Sequence, residues 1–287
     1  MLPDDPPCGF VHLGPERPLS PVVIAVPHAG RSYPDTCRDD AADMRRLVLL
    51  EDRHADLLAS AAVRHGATAF VATRARAWID LNRDPREIDP AMIEGRAPPG
   101  IVSSPRVRNG LGLVPRRIGA GPDLWRRKFT ADDLLDRIET VHRPYHDALA
   151  LTLAETRQRF GVAILLDCHS MPPLGAPAGR RPNIVIGDRY GRSAAASFGD
   201  ALESLTARSG LRPARNTPYA GGYTLDRHGA PRAGIHALQV EVDRSLYLDP
   251  ALVEAGAGVA KISMLISQMH AALAMSAAPA IIPEAAE

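Results

Sequence analysis

The chain has 287 residues, of which 45% are hydrophobic and 23% charged, proportions of an ordinary folded globular protein that exclude a disordered chain. Its 34 basic and 33 acidic side chains leave a formal net charge of +1, so no overall field draws it to nucleic acid or to an anionic membrane. Three cysteines, Cys8, Cys37 and Cys168, with no CxxC spacing, suit a reducing compartment better than a disulfide framework.

The opening MLPDDPPCGF places acid and proline where a signal peptide needs a basic and then an apolar segment, and residues 1–20 read as an irregular lead-in. No apolar run approaches the roughly 20 residues of a membrane span. The expectation is a soluble, cytoplasmic protein. Pro21–Val26 is a β-branched run feeding Pro27-His28-Ala29-Gly30, which reads as a buried strand entering a loop. Helical spacing of Met44, Leu47, Val48, Leu57, Leu58 and Val63 predicts helix from about Asp39 to His65, broken at Leu50-Glu51-Asp52. Ala67–Ala72 predicts a strand leading into Trp78-Ile-Asp-Leu-Asn-Arg-Asp-Pro85.

Residues 86–122 are rich in proline, glycine and arginine and lack periodicity, and a connection that long is usually functional or mobile. Thr130, three before Asp133, predicts an N-cap and a helix to about Phe160, kinked at Pro144. Val162–Asp167 predicts a buried strand ending near His169, Asn183–Ile186 a short strand and Gly191–Ser209 a helix. Ala237–Val242 alternates as a strand, Pro250 to about Ala274 reads as a terminal helix, and 276–287 reads as a frayed tail. Strands alternating with helices, without repeat or linker, predict one catalytic domain over 1–287 with a mostly parallel sheet covered on both faces.

Ligands of such sheets bind beyond the carboxyl ends of the strands. Two strand-like runs finish at His28 and His169, and a third carries Glu241. Two histidines and a carboxylate from Glu51-Asp52-Arg53-His54 would make a catalytic zinc site with room for water. Asp167 and the two residues after His169 would supply hydrogen bonds to those ligands. A carboxylate within an apolar strand is desolvated, which makes Glu241 the candidate general base unless it pairs with Arg244 or Arg232. Asn82 beside Arg83 offers paired donors to a substrate carboxylate, the alternative being an ion pair of Arg83 with Asp80 or Asp84. Asn216–Leu225, with its two glycines, reads as a loop that brings Tyr223 or Thr224 onto substrate, or as a surface turn. Neither a GxSxG elbow nor a GxxxxGKS loop occurs, and Cys168 as nucleophile would point to the sheet face opposite His169.

VPHAGRSYP, EDRHADLL, WIDLNRDP, LDCHSMPP, NIVIGDR, NTPYAGGYT and LQVEVDRSLYLD, in that order from Val22 to Asp249, resemble the N-formylglutamate amidohydrolase family. The DLNR and DxH segments are more distantly similar to the zinc carboxypeptidase and aspartoacylase group. The resemblance implies an α/β fold: a three-layer α/β/α sandwich with a mixed, mostly parallel central sheet, of the phosphorylase/hydrolase-like type. It implies hydrolysis of N-formyl-L-glutamate, the last step of one histidine-degradation route, or of another N-acyl acidic amino acid; a non-catalytic metal- or metabolite-binding relative is the alternative. The cofactor would be Zn2+ or another divalent metal on His28, Asp52 and His169. The family's usual aspartate favours Asp52, with Glu51 in reserve. Glu241 would activate water, and Asn82, Arg83, Tyr223, Thr224 and Arg244 would bind substrate. The expected partner is a small-molecule substrate, with no nucleic acid and no membrane; homo-oligomerisation stays open.

Overall fold

The computed structural model describes residues 6–175 and 181–277. Among them the helices are α1 (Asp35–Asp40), α2 (Met44–Val48), α3 (Ala55–Arg64), α4 (Pro105–Arg108), α5 (Ala131–Arg137), α6 (Arg143–Phe160), α7 (Ala196–Arg208), α8 (Tyr223–His228) and α9 (Val259–Ala277). The strands are β1 (Phe10–Leu13), β2 (Val22–Val26), β3 (Thr68–Ala72), β4 (Ala163–Met171), β5 (Ile184–Gly187), β6 (Pro213–Arg215) and β7 (Ile235–Asp243). They form one sheet in the order β1-β3-β2-β4-β7-β5-β6. The central β3, β2, β4 and β7 run parallel, β1 pairs antiparallel with β3, and β5 pairs antiparallel with β7. The expected mixed, mostly parallel α/β sheet is the one observed.

Alternation along the strands sends apolar side chains to both faces. Val22, Ile24 and Val26 of β2 join Leu58 of α3, Leu202 of α7 and Ile266 of α9 in one buried cluster. Val23 and Ala25 join Tyr145, Leu149 and Leu153 of α6 in the other, together with Leu113, Leu124 and Phe129 from the long connection. That connection is therefore a packed part of the second layer. Ser104 caps α4, and Trp125 Nε1 donates to the Pro115 carbonyl over 2.7 Å.

Several boundaries differ from expectation, among them the helix expected from Gly191, which begins at Ala196. The lead-in contains β1, an edge strand too short for its period to show between flanking prolines. The helix expected from about Asp39 begins at Asp35 and is interrupted twice, and the terminal helix begins at Val259 after a run of turns, not at Pro250. Of the tail expected to fray, Ser276 and Ala277 close α9, and 278–287 lie outside the described residues. The Thr130–Asp133 capping box is present, and Gly161 ends α6 in the left-handed region at φ 79°. Between α5 and α6, residues 138–142 form a wider π turn just before Pro144. Among the described residues no helix is long and apolar enough to cross a membrane.

Candidate active site and metal centre

The site grows from the carboxyl ends of β2, β4 and β7. Pro27, lacking an N–H, follows the last residue of β2, and the chain turns to present His28. The His28 carbonyl accepts the Asp52 backbone N–H at 3.0 Å, which stitches the loop before α3 to the end of β2. In β4, Ile164, Leu166 and Cys168 face the first core cluster, so Asp167 and His169 face the other side. His169 thus lies within β4, which continues to Met171. In register beside them, β7 aligns Gln239 with Asp167 and Glu241 with His169. Four polar side chains on one face of two neighbouring strands form the floor of the site. Cys168, one residue away, is buried on the opposite face and its thiol is pushed up by burial, which removes it as a nucleophile.

His28, Asp52 and His169, all buried, converge. The two Nδ1 atoms are 3.1 Å apart, and Asp52 Oδ2 lies 3.2 Å from Nδ1 of His169 and 3.5 Å from Nδ1 of His28. Each histidine uses its other nitrogen on a carboxylate: His28 Nε2 on Asp80 Oδ1 at 2.7 Å and His169 Nε2 on Asp167 Oδ2 at 2.9 Å. Asp80 also accepts the Asn82 N–H and Arg76 Nε, so it is a charged acceptor. Burial alone would raise its carboxyl, but Arg76, Arg83 and His28 hold it well below the usual range. With both Nε2 atoms donating, both Nδ1 lone pairs face each other and a carboxylate oxygen.

Three acceptors this close, out of water, require positive charge between them. Two ligands of a tetrahedral zinc ion sit about 3.3 Å apart, given metal–ligand bonds of ~2.0–2.1 Å. The observed separations of 3.1, 3.2 and 3.5 Å match that figure, and carboxylate-oriented imidazoles are the usual support for metal ligands. The residues therefore fit a divalent metal. The same demand shows in the titration of His169: burial lowers it, but Asp167 and Asp52 outweigh that and raise it well above the ordinary range. Asp52 behaves in the mirror sense, held well below the carboxylate range by His169 and His28 against its burial. The second oxygen of Asp167, Oδ1, is buried without a hydrogen-bond partner.

A cavity of about 680 Å3 opens over this cluster. Glu241 lines it, and burial pushes its carboxyl up to about 7; His169 opposes that shift and Asp52 adds to it. Oε1 accepts from Gln239 Nε2 at 2.8 Å, whereas neither Arg244 nor Arg232 pairs with Glu241 among the described residues. Asn82 also lines the cavity. Its Oδ1 accepts the Thr224 backbone N–H at 2.9 Å, which fixes the amide so that Nδ2 faces His169 and Gln239. Arg83 reaches the cavity while giving Nε to the Leu111 carbonyl and Nη1 to the Asn82 carbonyl. Burial presses its guanidinium down to about 10, with Asp80 opposing and Arg76 and Arg106 reinforcing.

The remaining expected residues fall differently. Glu51 turns away from the cluster to Tyr33 Oη at 2.6 Å and Arg53 Nη1 at 2.9 Å, so Asp52 is the acid that joins the histidines. Arg244 lines the cavity and gives Nε to Ser170 Oγ and Nη2 to the Glu51 carbonyl and Asp52 Oδ1, which orients Asp52. Ser170 supports the same carboxylate through its N–H at 3.1 Å. Tyr223 does not reach the cavity: α8 turns it into an adjoining cleft against His142 and His146. Thr224 is fully buried and touches the site only through its backbone. From the same loop Tyr219 and Gly222 line the cavity instead.

Sequence reasoning missed Asp80, Gln239, Arg76, Tyr219 and Arg106. Asp80 and Gln239 carried a signal, a polar residue two before Asn82 and another two before Glu241 on the same strand face. Arg76 and Arg106 carried none among so many arginines.

A family model described as N-formylglutamate amidohydrolase matches residues 20–248. The N-formylglutamate deformylase of Pseudomonas putida is 28% identical over 236 residues, 80% of this chain and 82% of that protein. That of Pseudomonas aeruginosa is 27% identical over 241 residues, 82% of this chain and 84% of its own. The crystal structure of an N-formylglutamate amidohydrolase from Ralstonia eutropha JMP134 superposes with a TM-score of 0.85 at 32% identity, covering 94% of this chain and 98% of that one. A gene product of Agrobacterium tumefaciens, at 20% identity, shares the fold with a TM-score of 0.63 over 90% of this chain and 91% of its own.

Proposed function

The chain belongs to the N-formylglutamate amidohydrolase family, and from that premise we propose that it hydrolyses N-formyl-L-glutamate to formate and L-glutamate with a divalent metal, zinc, on His28, Asp52 and His169. The observation that carries the reading is the convergence of three acceptors beside a buried glutamate in an arginine-lined cavity. Five arginines line that cavity, several of them paired with Asp80, Asp226 or Asp52, a basic lining suited to an anionic substrate. In a histidine-degradation route the reaction would be the last step.

When bound, the metal supplies Lewis acidity, polarising the formyl carbonyl and lowering the pKa of water. The chain's own residues do the rest. Asp80 and Asp167 hold the two imidazoles in the tautomer that presents Nδ1, so the centre needs no rearrangement as charge develops. Glu241 Oε2, which takes no hydrogen bond among the described residues while Oε1 takes Gln239, removes a proton from the attacking water. As the new C–O bond forms and the C–N bond breaks, the same carboxyl returns that proton to the departing amine nitrogen. A carboxyl near 7 suits both directions of transfer. Asn82 Nδ2 and Arg83 present N–H donors beside the cluster, where the carboxylate on the carbon bearing the amide would lie.

The test is formate release from N-formyl-L-glutamate by purified protein, before and after chelation and after zinc is restored. Turnover that disappears with chelator and returns with zinc is the expected result. Zinc bound at one equivalent without release of formate, or of free amine from N-acyl-aspartate and longer N-acyl substrates, would remove the enzymatic reading.

A further inference from the structure

We propose that Arg106 is the residue that reads the substrate's side-chain carboxylate and closes the far end of the cavity. This rests on the hydrolase reading above. The position follows from the shape of the molecule. A second, open cleft of about 820 Å3 lies beside the site, and none of His28, Asp52, His169 or Glu241 lines it. Among the described residues only Arg106 and Arg189 line both spaces, so they form the partition, at an end of the site where none of the cluster residues lines the neighbouring cleft.

The two arginines differ in how much of their charge is spent. Arg189 gives Nε and Nη2 to the two oxygens of Asp226, each at 2.7 Å. Arg106 makes one hydrogen bond, from Nη2 to the Gly221 carbonyl at 3.1 Å, and among the described residues no carboxylate pairs with it. The cavity's other arginines are likewise committed: Arg76 to Asp80, Arg244 to Asp52, and Arg83 to two carbonyls and, at 3.6 Å, to Asp80. Arg106 stands close enough to Arg83 to help depress it. Two guanidiniums held near each other, one without a counter-ion, suit an anionic ligand.

In an N-formyl amino acid the scissile amide and the α-carboxylate share one carbon, and both belong near Glu241 and Asn82. A glutamate side chain carries its second carboxylate two methylenes further out. Arg106 is the uncommitted cation at that end, with a planar pair of donors for both oxygens. Its anchor is the segment 101–118, which also brings Leu111 and Ile118 into the cavity wall.

Two measurements test the assignment in full-length, zinc-loaded protein. The first is the ratio of kcat/KM for N-formyl-L-glutamate over N-formyl-L-glutamine. The second, by calorimetry, is the ratio of affinities for glutarate over its monoamide, which needs no turnover. Arg106→Met should cut both ratios by roughly 10- to 100-fold, and Arg106→Lys, keeping charge but losing the fork, by less. Ratios unchanged in Arg106→Met overturn the assignment whatever the turnover. A wild type that hydrolyses neither substrate yet prefers glutarate, with that preference lost in Arg106→Met, supports Arg106 and overturns the hydrolase reading. The lysine variant recovering no more discrimination than methionine counts against a charged contact.

Discussion

At one end of the cavity the functional groups stand on strands: His169 and Glu241 are cross-strand neighbours, and His28 follows β2 by two residues. Toward the adjoining cleft they hang from connections, with Arg106 between β3 and α5 and Arg189 just after β5. The strand end is rigid because each of its groups is fixed twice, by the sheet and by a carboxylate or amide behind it. The connection end is held more loosely, Arg106 by one hydrogen bond to the Gly221 carbonyl. In the proposed function, chemistry that tolerates little displacement falls on the sheet, and recognition, which tolerates more, falls on loops.

That contrast predicts an ordering of effects. His169→Ala removes a converging acceptor and should lower turnover at least 10³-fold while metal content falls toward zero, read by elemental analysis beside formate release. Retained metal at full stoichiometry would show that the strand end is not the metal centre. Glu241→Gln should cost about 10²- to 10⁴-fold in kcat with metal content intact. In the proposed mechanism the working base is the ionised form of Glu241, whose carboxyl burial lifts to about 7, so wild-type kcat/KM should rise with pH through that region and the glutamine variant should lose the limb. A limb that survives the substitution assigns it to another group.

Asp80→Asn and Asp167→Asn spare the ligands and loosen their support, so zinc affinity should weaken about 10- to 100-fold, read by competition with a chelating dye. Zinc binding to the wild type should also weaken as pH falls, since the raised His169 then carries the proton that the metal must displace. A pH-independent affinity would contradict that competition. The smallest effect belongs to the connection end. A Cβ at Gly222 would come within 2.3 to 2.6 Å of the Asn82 amide, so Gly222→Ala should displace Asn82 and raise KM several-fold with zinc affinity unchanged. A loss of zinc affinity there would mean the two ends are not independent.

The same contrast explains what the sequence disclosed. His28 and His169 stood out because each stands just beyond a continuous apolar run, and Glu241 because it puts a carboxylate on one face of an alternating strand; both patterns survive folding. Asp52 was narrowed from its neighbour Glu51 only by likeness to a family; the backbone bond from Asp52 to His28, between residues 24 apart in sequence, decides it in space. Tyr223 and Thr224 were misplaced because a glycine-rich loop gives no sign of the six-residue helix that rotates them away. The arginines at 76 and 106 owe their place to tertiary packing of the long connection, which has no periodicity to read.

The π turn has a mechanical consequence. Arg137, stacked 3.6 Å over the Trp78 ring, donates to the Trp78 carbonyl, while His146 and His142 bond the carbonyls of Leu81 and Arg83 on either side of Asn82. In an unbroken α-helix residues 137 and 142 would point about 140° apart. The wider turn brings both onto the segment 78–83, so one helical rod grips the same ribbon at three rungs. Removing a single residue from that turn would re-phase one grip by about 100° against the others, and Asn82 would lose its setting without any change at position 82.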